Sequence, residues 1–340
     1  MLKEAFEFDK MLKAYKQCRC SKQHKREVVS FEINLGYNLL ELSKSLLNKN
    51  YKVGNYRQFY IYEPKKRNIE ALSFKDRVVL MSLCNNVIEP KIEKKLIYDN
   101  VACRKGKGTL FGIKRLEKFL RDYYKVNKTN KGYFLKCDVR KYFQCINHEI
   151  LLKNLEKTEL DSEDLWIIKT IVNSRNSETG VGLPIGNQTS QWFALFYLNV
   201  VDRLIKEKLG IKYYVRYMDD MILIHKDKEY LKRCKERIEK CLNEELKLEL
   251  NSKTQISQIK NGIDFLGFRH VLTESGKVLR LLRQQAKYRL KKKIKTLSIF
   301  RQKQLVDQEF IDVRLNAFNA HLCHSNSIKL LRLYRKKYNI

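Results

Sequence analysis

Apolar residues recur along this chain at two spacings, which predict alternating helices and strands. Leu35, Leu39, Leu42 and Leu46 lie three or four positions apart, as on one face of an α-helix. Strands and buried helices that alternate predict a mixed α/β fold (α+β). Helices are expected up to about residue 52 and over 73–88, 189–209, 227–248 and 285–300, and strands over 56–62, 132–137, 213–217 and 220–224.

Residues that begin or end helices sharpen these boundaries. Ser73 suits an N-cap with Asp76 at the third helical position, and Pro90 is expected to end or kink that helix. Gly210 is expected to stop the helix over 189–209. The 340 residues contain only three prolines and no Gly/Ser-rich linker, so we expect two or three subdomains in one continuous body.

Two adjacent acidic residues interrupt the apolar and aromatic stretch over 213–224. The pattern of strand, turn and strand puts Asp219 and Asp220 at the tip of a hairpin. Two like charges on a hydrophobic hairpin are unfavourable without a positive partner, and carboxylates suit hard cations such as Mg²⁺. Because successive side chains of a strand point to opposite faces, we expect one acid at the metals and the other at the edge.

A second acid for this site is expected from another part of the chain. Asp138 follows a strand-like stretch over 132–137, well upstream of the Asp-Asp pair. Taken alone, Asp138 also suits a helix N-cap or a turn, and an isolated Asp-Asp pair is commonly a solvated turn. The two motifs together favour a shared metal site.

The order and separation of these motifs resemble those of reverse transcriptases. The Asp138 segment resembles the first motif of the palm, and Tyr217-Met218-Asp219-Asp220 resembles the catalytic hairpin. The resemblance runs from about Tyr56 to the C-terminus. Three further stretches also resemble family motifs. Residues 182–191 resemble the nucleotide- and template-contacting loop, 248–254 resemble the next palm motif, and 265–268 resemble the primer-grip hairpin.

This resemblance implies a right-hand polymerase fold with fingers, palm and helical thumb. It also implies an RNA-directed DNA polymerase, a nucleotidyltransferase that extends a primer on template RNA with dNTPs. The expected parts are a helical extension over 1–52, fingers over 53–131 with 150–180 partly inserted, a palm with the catalytic hairpin over 132–270, and a basic helical thumb over 271–340.

For the catalytic site, the resemblance implies two Mg²⁺ ions, for which Mn²⁺ can substitute. Ions about 3.5–4 Å apart activate the primer 3′-hydroxyl and stabilise the leaving pyrophosphate. Asp138 and Asp219 would be direct ligands, together with the backbone carbonyl of Val139. Asp220 would be a required but peripheral member of this set.

The resemblance also implies contacts to the incoming nucleotide. Phosphoryl transfer depends on positioning and charge stabilisation, and Lys66 and Arg67 occupy the matching position in the fingers. Phe143 corresponds to the aromatic residue that excludes a ribose 2′-hydroxyl, although it equally suits a core position. The other expected nucleotide contacts are Ile185, Gly186, Gln191 and Lys253.

Composition independently favours a polyanionic partner. The chain has 70 Lys and Arg residues against 38 Asp and Glu, a formal net charge of +32, which suits RNA. A membrane surface is the alternative, but no apolar run reaches 18 residues. The expected nucleic-acid contacts are Arg104, Lys105 and Lys107 in a basic glycine loop, Leu266 and Gly267 in the primer grip, and Lys291, Lys292 and Lys293 in the C-terminal region.

The expected compartment is the cytoplasm, with the protein encoded by a bacterium or a phage. The nine cysteines are scattered and odd in number, which suits a reducing environment. The N-terminus lacks the apolar core of a signal peptide.

Within the family, three stretches resemble enzymes of diversity-generating retroelements: 102–109, 185–191 and 215–220. Ile185 stands where retroviral-type enzymes carry Gln. The enzymes of these retroelements copy a template RNA with errors at adenines during retrohoming, together with a small basic accessory protein that forms a barrel-shaped oligomer. Nothing after the thumb resembles an HNH or RNase H domain, which disfavours a typical group II intron protein or a retroviral enzyme.

Three alternatives remain open at this point. A retron or phage-defence reverse transcriptase would share the palm and differ in its RNA partner. A non-catalytic RNA-binding scaffold would not need the three acids. An RNA-templated RNA polymerase would incorporate ribonucleotides.

Overall fold

The computed structural model of the protein describes residues 2–62, 65–175 and 178–340. Four helices come first: α1 (Leu2–Ala5), α2 (Phe8–Arg19), α3 (Arg26–Ile33) and α4 (Leu35–Leu47). The leucines predicted to share one helical face lie on α4, and Leu39, Leu42 and Leu46 are buried there.

Within the described residues, nine strands form three antiparallel sheets. A hairpin pairs β1 (Arg57–Ile61) with β2 (Arg67–Ala71). The central sheet contains β3 (Tyr133–Cys137), β4 (Tyr213–Tyr217), β5 (Asp220–His225) and β6 (Gln255–Gln258), in the spatial order β4–β5–β3–β6. The third sheet contains β7 (Ile263–Phe265), β8 (Phe268–Leu272) and β9 (Val278–Leu282), in that order.

The other helices connect and cover these sheets. Before and between the strands of the central sheet lie α5 (Phe74–Leu83), α6 (Glu89–Ile92), α7 (Thr109–Asn127), α8 (Tyr142–Cys145), α9 (His148–Glu156), α10 (Ser162–Val172), α11 (Gln188–Tyr197), α12 (Asn199–Arg203) and α13 (Lys228–Leu246). The chain closes with α14 (Gln284–Gln302), α15 (Gln308–Leu322) and α16 (Lys329–Tyr338). In the described part of the chain, we find no helix with the length and apolarity that a membrane span requires.

Both faces of the central sheet are covered. On one face, Leu135 and Met221 belong to a hydrophobic core that also includes α5, α11, α13 and the N-terminal helices. On the other face, Phe134 and Ile222 pack with residues of α7 and of the third sheet. Because successive side chains of a strand point to opposite faces, strands buried on both sides must be almost continuously apolar. This explains the pattern over 213–224.

The three C-terminal helices have a hydrophobic cluster of their own. Ile294 of α14, Ile311 of α15 and Leu331 of α16 pack together with Phe268 and Leu282 of the third sheet. The third sheet therefore joins these helices to the rest of the molecule.

The helix predicted to end or kink at Pro90 does not end there, but it changes form just before the proline. α5 begins at the predicted N-cap, where the Ser73 hydroxyl accepts a hydrogen bond from the N–H of Asp76. It passes into a π-helical segment, Cys84–Ile88, and then into α6, whose first turn contains Pro90. The wider π turn accommodates the proline, whose ring would clash with the carbonyl four residues earlier in a regular α-helix.

The helix predicted over 189–209 is interrupted, so the prediction of one continuous helix was wrong. α11 ends at Tyr197, and α12 is followed by a second π-helical segment, Leu204–Lys208. Neither break coincides with a Gly or Pro. Gly210 ends the whole segment with a φ of 59°, as predicted.

Candidate active site

Asp219 and Asp220 lie at the tip of the hairpin formed by β4 and β5. Tyr217 pairs directly with Asp220, so Met218 and Asp219 form a two-residue turn. Met218 has a φ of 54°, in the left-handed region that residues with a Cβ adopt at an energetic cost. The tight turn fixes the direction in which the two acids leave the sheet.

Asp138 lies next to Asp219. β3 pairs with β5 with Cys137 opposite Met221, which brings the residue after Cys137 to the hairpin turn. The carboxyl groups of Asp138 and Asp219 share a hydrogen bond, and burial followed by the charge of Asp138 raises the pKa of Asp219 to about 6. Two half-buried carboxyls this close repel one another when both are ionised, and a divalent cation would offset that repulsion.

Asp220 has a different partner. The Nζ of Lys136 lies 3.3 Å from each of its carboxylate oxygens and donates a 2.6 Å hydrogen bond to the carbonyl of Asp264 in β7. Burial raises the pKa of Asp220, and Lys136 opposes that effect. In the part of the chain that the structure describes, no three His, Cys, Asp or Glu side chains are grouped to hold a metal. The candidate metal centre is therefore the pair Asp138 and Asp219.

Asn251 supports Asp138, a role that the sequence did not reveal. Its Nδ2 donates a 3.0 Å hydrogen bond to Oδ2 of Asp138, and its N–H donates a 2.7 Å bond to the carbonyl of the same residue. Val139 is buried and forms an antiparallel bridge with Leu250. The N–H of Lys253 in turn donates to the Asn251 side chain at 3.1 Å. The stretch over 248–254 thus fixes the orientation of Asp138.

The loop with Ile185 and Gly186 is joined to the hairpin of β1 and β2. The N–H of Glu70 in β2 donates a 2.9 Å hydrogen bond to the carbonyl of Ile185. Gly186 has a φ of 144°, and a Cβ at this position would lie 2.9 Å from the carbonyl oxygen of Glu70. Only glycine fits this close approach. Glu70 also forms an ion pair with Arg175.

Lys66 and Arg67 are exposed on this same hairpin. Arg67 pairs with Ile61 across the two strands, and the Nζ of Lys66 lies 4.8 Å from the centre of the Tyr60 ring. Glu70 of this hairpin bonds to Ile185. Lys66 and Arg67 therefore lie on an element that is joined directly to the loop with Ile185.

Phe143 lies on α8 and is half-buried. Its ring packs edge-on against Tyr142 at 5.7 Å between ring centres, and its carbonyl accepts a 2.7 Å hydrogen bond from the N–H of Leu183. A half-buried ring beside this loop is compatible with both predicted roles, packing and exclusion of a 2′-hydroxyl. Gln191 is exposed on α11, and Lys253 is exposed in the turn that precedes β6.

The basic glycine loop is held together by its own cations. Arg104 is buried, bonds to Glu93 and also donates to two backbone carbonyls at 2.6 and 2.7 Å. Lys107 donates a 2.7 Å bond to the carbonyl of Tyr98, and burial lowers its pKa to about 8. These contacts favour a structural role for Arg104. Contact of this loop with nucleic acid, including by the exposed Lys105, stays a prediction.

The remaining predicted contacts lie on the third sheet and on α14. Leu266 and Gly267 form the turn between β7 and β8 with φ values of 45° and 91°, and Lys291 is exposed on α14. A cavity of about 990 Å³ lies between α14, α15 and the end of β1. Cations that suit phosphates and rings that suit bases line it together, among them Tyr62, Arg289, Lys292, Lys293, Phe310 and Arg314.

The raised pKa of Asp219 predicts that protons and Mg²⁺ compete for this site. With a pKa of about 6, the group takes up its proton progressively as the pH falls through that value, and a metal ligand must be deprotonated to bind. We expect the Mg²⁺ affinity, measured by calorimetry, to be constant above about pH 7 and to fall up to about tenfold per pH unit below pH 6. Affinity that does not change between about pH 5 and pH 8 would contradict a site at Asp219.

Comparisons with known proteins bear on the family and the fold of this chain. Residues 61–270 match the family model described as reverse transcriptase (RNA-dependent DNA polymerase). No curated protein sequence matches the chain. Among solved structures, the chain is similar to telomerase from Candida albicans in complex with a fragment of telomeric RNA, with a TM-score of 0.52 and 13% identity over 78% of this chain and 55% of that one.

Telomerase from Candida tropicalis is similar to the same extent. Its apo structure matches with a TM-score of 0.52 and 16% identity over 71% of this chain and 53% of that one. The chain thus spans about half the length of these telomerase chains. At such low identity the likeness concerns the fold, which is the right-hand polymerase fold that the sequence predicted.

Proposed function

This chain belongs to the reverse transcriptase family, and on that basis we propose that it copies template RNA into cDNA as an RNA-directed DNA polymerase. The observation that carries the proposal is the strand register that brings Asp138 next to Asp219 at the end of the central sheet. Two half-buried carboxyls side by side destabilise a protein, and a scaffold that only binds RNA gains nothing from them.

Divalent metal ions are general in this family, and Mg²⁺ is our proposal for this chain because all the proposed ligand atoms are oxygens. Asp138, Asp219 and the carbonyl of Val139 would hold the metals, with Asp220 at the edge of the set. When bound, the metals supply charge stabilisation at the reacting phosphate. Asn251 keeps the Asp138 carboxyl in one orientation, which suits a site that must be formed before substrate arrives.

The substrates would be dNTPs and a primer paired with template RNA. Lys66, Arg67 and Lys253 would bind the triphosphate, with Phe143 against the sugar. The loop residues Ile185 and Gly186, and Gln191 on α11, would face the base pair that forms. Duplex contacts are proposed for Lys105 and Lys107 with Arg104 as their support, for Leu266 and Gly267, and for Lys291, Lys292 and Lys293.

A finer proposal is that the chain serves a diversity-generating retroelement. It would copy the template RNA with errors at adenines and work with a small basic accessory protein. The half-buried aliphatic side chain of Ile185, where retroviral-type enzymes carry an amide, supports this proposal. The proposed location is a bacterial cytoplasm, which suits the nine cysteines, each of them free in the described structure.

The test is primer extension by the purified protein on RNA. We expect extension with dNTPs and Mg²⁺, none after chelation of the metal, and much weaker extension with ribonucleotides. Failure of dNTP extension on every primed RNA, including RNA that co-purifies with the chain, would overturn the proposal. Sequencing of the co-purified RNA separates the subtypes. A template-repeat RNA would support the diversity-generating retroelement, and a structured non-coding RNA would support a retron.

Ile185→Gln should lower misincorporation opposite template adenine. An aliphatic side chain offers shape but no directed hydrogen bond, and a polar contact at a buried site changes discrimination by about 1–3 kcal/mol. We therefore expect about a 5- to 100-fold lower error frequency in sequenced cDNA, with Ile185→Leu as the matched control. Equal error spectra in all three proteins, or few adenine errors in the wild type, would favour a faithful retron or defence enzyme.

A further inference from the structure

Arg216 has a charged side chain that is completely buried behind the hairpin turn. It lies on β4, three residues before Asp219, and its exposed fraction is 0%. Asp202 of α12 has an exposed fraction of 0% as well and forms an ion pair with it. Removing two charges from water is so unfavourable that an apolar pair of similar volume often stabilises a fold equally well. The pair therefore calls for an explanation other than stability.

The hydrogen bonds of Arg216 supply an explanation for the buried pair. Its Nη1 donates a 2.9 Å bond to the carbonyl of Met218, which is the turn residue with positive φ that immediately precedes Asp219. Its Nη2 donates a 2.9 Å bond to the carbonyl of Leu195 in α11. The guanidinium thus ties the backbone of the turn to a buried helix behind the sheet.

Asp202 holds that guanidinium in place. It accepts a 2.7 Å bond from the Nε of Arg216 and a second bond from its Nη2. The hydroxyl of Tyr214, on the same face of β4, donates a 2.6 Å bond to Asp202. The backbone of Arg216 is fixed too, because its N–H donates to the carbonyl of Asp99 at 3.0 Å. A planar guanidinium with several fixed donors suits this arrangement, which a lysine cannot reproduce.

We propose that Arg216 is a positioning residue for the metal centre. It holds the carbonyl of Met218 and thereby directs the carboxyl of Asp219 toward Asp138, while Asp202 orients the guanidinium. As an account of catalysis the inference rests on the proposed polymerase function. A misplacement of about 1 Å lowers the rate of an enzyme by about 100-fold, so loss of this bond should affect the chemical step far more than substrate binding.

The test removes both charges together, since removal of one leaves the other buried and unpaired. In the double variant Arg216→Met with Asp202→Asn, the new amide oxygen still accepts the bond from Tyr214. The matched control is Lys91→Met with Asp164→Asn, which neutralises a second buried ion pair, with side-chain exposed fractions of 9% and 0%. That pair joins α6 to α10, outside the central sheet.

We expect kcat of the Arg216 double variant to fall about 100-fold. The KM for dNTP and the affinity for primed RNA should change less than about threefold, and its melting temperature should resemble that of the control pair. A kcat no lower than that of the control, or equal losses in kcat and RNA affinity, would overturn the positioning role.

Two measurements need no activity. Amide hydrogen exchange at 217–221 should become faster in the Arg216 double variant and stay unchanged in the control, and the Mg²⁺ affinity measured by calorimetry should fall about tenfold or more. Unchanged exchange and Mg²⁺ affinity would also overturn the role. If the wild type fails to extend any primer, the proposed function fails, while these two measurements still decide whether Arg216 positions Asp219.

Discussion

Asp219→Asn should abolish Mg²⁺-dependent primer extension, with kcat lowered by at least about 1000-fold. A neutral amide binds a divalent cation far more weakly than a carboxylate, and the several kcal/mol of charge stabilisation that bound metal gives the transition state are lost with it. Affinity for primed RNA should remain within about twofold, because phosphate contacts on other elements are unchanged. Primer extension and filter binding on the same preparations measure the two effects.

The metal-free Asp219→Asn protein should be at least as stable as the wild type near pH 8. The pKa of Asp219 is raised to about 6 in the folded protein, above its value in the unfolded chain, so ionisation at pH 8 opposes folding. At about 1.4 kcal/mol per pKa unit, removal of the charge relieves at most about 3 kcal/mol. Asp312→Asn, an exposed position on α15, is the control for the charge change itself. Full primer-extension activity in Asp219→Asn would contradict the assignment of this site.

Replacement of Lys291, Lys292 and Lys293 by Gln should weaken RNA binding about 10- to 100-fold at physiological salt and flatten its salt dependence. Each lost phosphate contact lowers the slope of log K against log salt by about 0.7–0.9, so we expect a reduction of about 2. The three lysines are exposed on α14, and two of them line the cavity that faces Tyr62. Binding isotherms across a salt series provide the measurement.

The N-terminal helices offer a control with the same change in charge. Lys10, Lys13 and Lys16 are exposed on α2, and their replacement by Gln removes three charges from another part of the molecule. If both triple variants lower the slope equally, the lysines act only through net charge. An unchanged slope in the α14 variant would mean that these side chains do not contact phosphates.

The hairpin and its acids were predictable because their signal is local. Strands buried on both faces require the continuous apolar run over 213–224, and polar residues within it stand out. The same holds for Asp138 after β3, and the register of β3 and β5 then brings it to Asp219. The helix start at Ser73 and the helix end at Gly210 were equally predictable, since N-caps and positive-φ helix ends depend on one or two residues.

Contacts between distant segments left no comparable signal. Asn251 and Lys136 bond to acids more than 80 positions away along the chain, and an Asn or Lys in a polar stretch is usually solvated. Arg104 looks like a nucleic-acid contact because its neighbours are basic, yet it is buried against Glu93. The π turn before Pro90 was missed because a proline ordinarily ends a helix.

The hydrophobic core that reaches from the N-terminal helices to the central sheet has a practical consequence for dissecting the molecule. Phe6, Met11 and Val28 share one core with Met221 of the hairpin strand, and the hydroxyl of Ser82 in α5 donates to the carbonyl of Ala5. Removal of the first 47 residues would expose a large apolar surface on α5 and leave that hydroxyl without its acceptor. Shortened versions of the protein should therefore keep these helices, because a loss of activity without them reports on solubility before it reports on catalysis.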